Sequence, residues 1–127
     1  MKVRGKVISG KGEGKYYMSL EPYQVKFKEV LGYVPYPGTL NVKLDNQINL
    51  NLDSMKKIDD FEYKGKKYYG VYLLPINLIS KDILVKPCAL IMPIKSDHPK
   101  NVVEIVSSLK LRKILSLKDG DKVLLII

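Results

Sequence analysis

Three observations predict a mainly β fold closed into a barrel, with one or two short helices. Short apolar or alternating runs recur along the whole chain, each bounded by Gly, Pro, Asn or Asp. No repeat period organises them, and only short stretches carry helical spacing, which favours a barrel over a layered α/β fold. With 127 residues and 46% hydrophobic content, the chain can bury a core without disulfide or metal support, so one domain over residues 1–127 is expected.

Residues 3–8 alternate and run directly into Ser9-Gly10-Lys11-Gly12-Glu13-Gly14-Lys15-Tyr16-Tyr17. Residues 15–20 resume an extended pattern, which predicts a strand-to-strand loop for the glycines. The loop is not a Walker motif, which ends in Gly-Lys-Ser/Thr before a helix, nor a dinucleotide fingerprint, whose third glycine lies one residue farther on. Between Pro22 and Leu31, the apolar set Tyr23, Val25, Phe27, Val30 and Leu31 opposes Gln24, Lys26, Lys28 and Glu29. That pattern predicts a short amphipathic helix stopped by Gly32.

Val34-Pro35-Tyr36-Pro37-Gly38 is a stiff turn, because each proline fixes φ and the glycine frees the next peptide. It leads Thr39 and Asn41 into a strand reaching about Leu44. Alternation puts residues 39 and 41 on one face and Leu40 and Val42 on the core side. Residues 61–63 and 67–73 predict a hairpin about Gly65, continuing as a strand towards Pro75. Residues 82–87 and 89–93 read as an extended pair, 102–106 as a strand, 110–116 as a short helix, and the tail as a turn followed by a buried strand.

The net charge of +9 suits an anionic partner, since a basic surface attracts phosphate whatever the chemistry. Only Arg4 and Arg112 among the 22 basic residues are arginine, however, and the lysines are scattered. Bidentate reading of base edges favours arginine, so a lysine-rich solvated surface fits better than nucleic-acid recognition. The lone Cys88 lies in an apolar run, as a small buried hydrophobe would, and a single cysteine forms no internal disulfide. A reducing cytoplasm is therefore the expected compartment. The N-terminus lacks a signal-peptide apolar stretch, and no segment approaches the roughly 20 apolar residues that span a bilayer.

Glycines at 10, 12 and 14 let successive backbone amides turn inward around an anion, with Lys11 and Lys15 adding charge. Taken alone, the same loop also reads as a ligand-free glycine-rich turn. The Thr39 hydroxyl and Asn41 carbonyl are neutral oxygen ligands on one strand face, as suits a magnesium ion that takes its charge from nucleotide phosphates. Alone, they read more readily as residues satisfying local backbone at a turn exit. Their co-occurrence with the glycine loop points to phosphoryl transfer. Glu104 interrupts the apolar run Val102-Val103-Glu104-Ile105-Val106, where a charge must face water or a partner, so it is a candidate for substrate binding or base catalysis. His98, without nearby cysteines, reads as a loop residue rather than a zinc ligand. Lys110-Leu111-Arg112-Lys113 becomes informative only if it folds near the glycine loop.

These residues resemble a known family, the archaeal CTP-dependent riboflavin kinases. The resemblance rests on Ser9-Gly10-Lys11-Gly12-Glu13-Gly14-Lys15-Tyr16, Gly38-Thr39-Leu40-Asn41-Val42-Lys43-Leu44-Asp45, Leu109-Lys110-Leu111-Arg112 and Leu117-Lys118-Asp119-Gly120-Asp121, which keep the family's order and compatible spacing. It implies a six-stranded cradle-loop barrel that phosphorylates the 5′-hydroxyl of riboflavin with CTP, giving FMN and CDP. A chain of this length can close such a barrel alone, so a monomer is expected. It implies nucleotide contacts from Gly10, Lys11, Gly12, Glu13, Gly14, Lys15 and Tyr16, completed by Leu109, Lys110, Leu111 and Arg112. Thr39 and Asn41 would hold one magnesium ion, and Ser96 and Glu104 would contact the flavin; the family pattern has threonine where this chain has Ser96. Two other classes fit parts of the pattern. The tail also resembles the closing hairpin of swapped-hairpin DNA-binding regulators, and a flavin or nucleotide sensor would keep the pocket without turnover.

Overall fold

The computed structural model describes residues 1–10, 12–94 and 101–127, with the backbone alone at Glu13. Six antiparallel strands close a barrel: β1 (Lys2–Ile8), β2 (Leu40–Leu44), β6 (Val71–Ser80), β7 (Ile83–Pro93), β8 (Val102–Ser107) and β9 (Lys122–Ile126). The order around the wall is β6-β7-β8-β2-β1-β9, and β9 returns to β6 through Asn77–Ile126, Leu78–Leu125 and Ile79–Leu124. The expected barrel is thus present. Because β9 pairs with β1 and β6 of its own chain, closure requires no exchanged hairpin.

Strand alternation sorts the side chains into two apolar clusters. Val3 and Val7 of β1, Leu40, Val42 and Leu44 of β2, Leu90 of β7, Ile105 of β8 and Val123 and Leu125 of β9 fill the barrel. The opposite face of the wall, at Leu73, Ala89, Ile91 and Val106, packs against Met18, Tyr23 and Phe27. Those three come from α1 (Glu13–Ser19) and α2 (Glu21–Leu31), which lie outside the barrel. Gly5 sits inside β1 because a Cβ there would stand 2.6 Å from Val42 Cγ1 and 2.7 Å from Lys43 O.

The helix expected after Pro22 is α2, with Pro22 in its first turn and Gly32 capping it at φ 86°. A hairpin of β4 (Phe61–Tyr63) and β5 (Lys66–Tyr68) turns at Lys64-Gly65, as predicted. β3 (Lys56–Ile58) follows a 3₁₀ turn at Leu52–Ser54 and pairs with the first three residues of β6. α3 (Leu111–Ile114) is the helix expected within 110–116.

Three expectations need correction. Residues 15–20 are not a strand: α1 covers most of them, and the glycine segment joins a strand to a helix. Both edges of β1 are taken by β2 and β9, so a strand following it finds no edge beside it, whereas a helix buries Met18 against the outer wall. The pair expected at 82–87 and 89–93 is one long strand, β7, pairing with β6 on one side and β8 on the other. Finally, β6 does not stop at Pro75. That proline lies where β6 changes partner, from β3 at residues 71–73 to β9 at 77–79, so one edge of the strand carries no ladder there. A register shift between Ile76 and Leu78 bends β6 at the same place.

Leu125 is 0% exposed at the centre of the barrel. Leu125→Ala should destabilise the fold by about 2–5 kcal/mol. The expected readout is a lower urea midpoint at unchanged m, and an unchanged midpoint would contradict the assigned core.

Candidate active site

Register across three strands builds the centre of the site. Ile8 of β1 stands opposite Asn41 of β2, and Asn41 stands opposite Glu104 of β8. Since Leu40, Val42, Val103 and Ile105 point into the barrel, Thr39, Asn41 and Glu104 project from its outer face. Thr39 Oγ1 donates a 2.8 Å hydrogen bond to Glu104 Oε1. Glu104 is 9% exposed, so its interruption of an apolar strand marks a buried polar position rather than a solvated one.

The glycine loop lies directly over this row. A Cβ on Gly10 would overlap the Asn41 side-chain amide, and one on Gly14 would stand 3.2 Å from Thr39 Cγ2 and 3.7 Å from Glu104 Oε1. A side chain at 10 would therefore displace the Asn41 amide, and one at 14 would ask Thr39 to give by a few tenths of an ångström. Gly12 differs: a Cβ there would meet nothing within 4 Å, but its φ of 79° is left-handed where the chain turns into α1. The two motifs, distant in sequence, form one layered structure.

The C-terminal basic stretch reaches the same place. Arg112 Nη2 donates to Ile8 O at 3.1 Å and to Asp119 Oδ1 at 2.8 Å, while Asp119 Oδ2 accepts from Ser9 Oγ at 2.5 Å. The hydrogen bonds from Ser9 and then Arg112 hold the Asp119 carboxyl below the usual carboxylate range. The segment before α3 is tied down as well: Ser107 O accepts from Tyr36 N at 2.7 Å, and Ser107 Oγ donates to Pro87 O at 2.9 Å.

Two cavities meet here. The larger, about 950 Å³, has a polar end at Gly10, Gly12, Gly14, Asn41 and Glu104 and an aromatic end at Tyr17, Tyr23, Phe27, Tyr68 and Tyr69. The smaller, about 180 Å³, is lined by Tyr36, Pro37, Leu40, Ile105, Ser107, Leu109, Lys110 and Leu111. Lys15, Gly38, Thr39 and Arg112 line both, so they form the boundary between them. At the aromatic end Tyr23 donates to Tyr69 O at 2.6 Å, and burial first, then neighbouring Tyr17, pushes its pKa up to about 12. It is a neutral donor at physiological pH, not a base. Burial likewise pushes the Cys88 thiol up to about 11, as befits an inert core residue.

Of the residues singled out from sequence, Gly10, Gly12, Gly14, Lys15, Thr39, Asn41, Glu104 and residues 109–112 line one or both cavities. Tyr16 lines neither and is 55% exposed. Lys11, Ser96, His98 and the Glu13 side chain lie outside the described residues. The aromatic end, Ser9 and Asp119 were not read as site residues. Tyr23 and Phe27 look like ordinary core positions of an amphipathic helix, and only the hairpin brought over them by the fold makes a pocket wall. Among the described residues no cluster of three or more His, Cys, Asp or Glu could hold a metal, and no helix is long and apolar enough to cross a membrane.

A family model named for CTP-dependent riboflavin kinases, and described as domain of unknown function DUF120, matches residues 7–127. The chain belongs to the CTP-dependent riboflavin kinase family. It is 55% identical over 119 residues to a riboflavin kinase of Methanococcus aeolicus, covering 94% of this chain and 92% of that one. A riboflavin kinase of Methanococcus vannielii is 44% identical over 126 residues, covering 99% and 97%. One from Saccharolobus solfataricus is 38% identical over 128 residues, covering 97% of this chain and 71% of its own.

Gly10→Ala would drive the Asn41 amide out of its row without touching the barrel core. A misplacement of that kind should reduce flavin phosphorylation by up to about 100-fold with the melting temperature nearly unchanged. Undiminished FMN formation would show that the close approach is not needed.

Proposed function

We propose that the chain transfers the γ-phosphate of CTP to the 5′-hydroxyl of riboflavin, forming FMN and CDP, at the boundary shared by the two cavities. The observation that carries this reading is that boundary: Lys15, Gly38, Thr39 and Arg112 face both spaces, so one molecule seated in each would meet there. The larger cavity, with its aromatic end, suits the isoalloxazine ring, and its polar end suits the ribityl chain. The smaller suits a pyrimidine, with the residue 109–112 segment along it.

In this reading Gly10, Gly12, Gly14 and Lys15 accommodate the phosphates, and Lys15 and Arg112 offset their charge. Lys11 and Glu13 belong to the same loop, and Ser96 is assigned to the flavin by the family resemblance alone. Glu104 accepts a hydrogen bond from the attacking hydroxyl and takes its proton as the oxygen–phosphorus bond forms. The bond between the γ-phosphorus and its bridging oxygen breaks, and CDP leaves. A loose transition state asks for little deprotonation beforehand, so holding both substrates in line is the larger contribution.

The donor set fits magnesium. Thr39 donates its hydroxyl hydrogen bond to Glu104, which leaves the oxygen lone pairs for a cation, and the Asn41 side-chain oxygen lies beside Gly10 on the same face. Thr39 and Asn41 would hold the ion, which when bound screens the nucleotide phosphates. A single chain closes the barrel and builds both cavities, which supports a monomer as the working form. A buried free Cys88 suits a reducing cytoplasm.

Incubating the purified protein with riboflavin, magnesium and each of the four nucleoside triphosphates tests the reading directly. FMN should form with CTP, and its absence with CTP would overturn the proposal. Tight duplex DNA binding without FMN would favour the regulator class instead, and nucleotide or flavin binding without FMN a sensor. Asn41→Ala should lower magnesium-dependent turnover by at least about tenfold while leaving riboflavin affinity, followed by flavin fluorescence, unchanged. Equal kinetics in the variant would remove Asn41 from the metal site.

A further inference from the structure

Asp119 places a carboxylate beside an arginine assigned to phosphates, where its own charge would repel them. Its two oxygens join segments far apart in the chain: Oδ1 accepts from Arg112 in α3, and Oδ2 accepts from Ser9, the first residue after β1. Arg112 Nη2 uses both hydrogens inward, one to Asp119 and one to Ile8 O, and among the described residues Nη1 and Nε meet no acceptor, so their donors can face a ligand.

The Arg112 and Asp119 side chains are 36% and 55% exposed, and an ion pair this open adds little to stability. What the contact does achieve is geometric. A long flexible side chain is held in one orientation at the boundary of the two cavities before any ligand arrives, so its ordering is not charged against binding. The same carboxylate anchors the start of the glycine loop.

We propose that Asp119, acting with Ser9, is a positioning residue that presets the Arg112 guanidinium for the nucleotide phosphates. This inference rests on the nucleotide reading of the cavity boundary given above. It has a sign that separates it from simple electrostatics. Were Asp119 only a nearby negative charge, removing that charge would tighten CTP binding; if it positions Arg112, removing it weakens binding despite the lost repulsion.

The test is a cycle of Asp119→Asn, Arg112→Ala and the double variant at one fixed ionic strength, read by CTP calorimetry and by separate KM values for CTP and riboflavin. Asp119→Asn should raise the CTP KM and Kd by about tenfold, the order lost when a residue that orients a ligating group is removed. The riboflavin KM and the melting temperature should hold, and Asp119→Glu should recover part of the loss. In the Arg112→Ala background Asp119→Asn should weaken CTP no further. Tighter or unchanged CTP binding in Asp119→Asn, or full additivity in the double variant, overturns the positioning role while Arg112→Ala still weakens CTP. If Arg112→Ala itself leaves CTP affinity unchanged, the nucleotide reading of the boundary falls, and the positioning role with it.

Discussion

The site depends first on the register of β1, β2 and β8. Asn41 faces Ile8 on one side and Glu104 on the other, and this alignment keeps Thr39, Asn41 and Glu104 on the outer face of the barrel. A slip of one residue in β2 would exchange every side chain between faces, burying Asn41 and expelling Leu40, Val42 and Leu44 from the core. Burial of those three residues, at 4%, 0% and 2% exposure, is therefore what aims the polar ones. The polar centre is positioned by apolar packing on the opposite face of the same strands.

A second layer turns this aimed row into a cavity. The outer face of β6, β7 and β8 is apolar and is covered by α1, α2 and the β4–β5 hairpin, giving a core separate from the barrel interior. Phe61 and Tyr68 stack with their centroids 5.5 Å apart, and Tyr23 meets both rings edge-on, so the hairpin is fastened to α2 through aromatic contacts. Asp60 Oδ1 accepts from Gly70 N at 2.8 Å and holds the far end of the hairpin, where a Cβ on Gly70 would overlap Ile58 O. The aromatic end of the large cavity is thus a by-product of how this outer core closes.

Charge is arranged with similar economy. Most of the 22 basic residues are scattered lysines, and several rest over aromatic rings, as Lys57 does over Tyr72 and Lys67 over Tyr69. One of only two arginines sits at the cavity boundary, tied to a carboxylate and a strand carbonyl. A planar, always-charged group with directed donors suits a fixed phosphate contact, whereas the lysines supply a general field.

The sequence alone carried the barrel class, because strand alternation and turn residues are local signals: residues 3–8, 40–44, 102–106 and the tail are strands as their patterns imply. It also singled out the glycine loop, the Thr39–Asn41 pair, Glu104 and the 109–112 segment as candidates, and residues of each fold to line the two cavities. It misread residues 15–20, where the tyrosines favour a strand, because the occupied edges of β1 are a long-range fact. Which motifs meet, and what lines the space between them, was decided only by tertiary structure. The Arg112–Asp119–Ser9 contact and the wall of Tyr23, Phe27 and Tyr68 join residues from strands, helices and loops that no window of sequence contains; barrel closure assembles the first and the outer core the second.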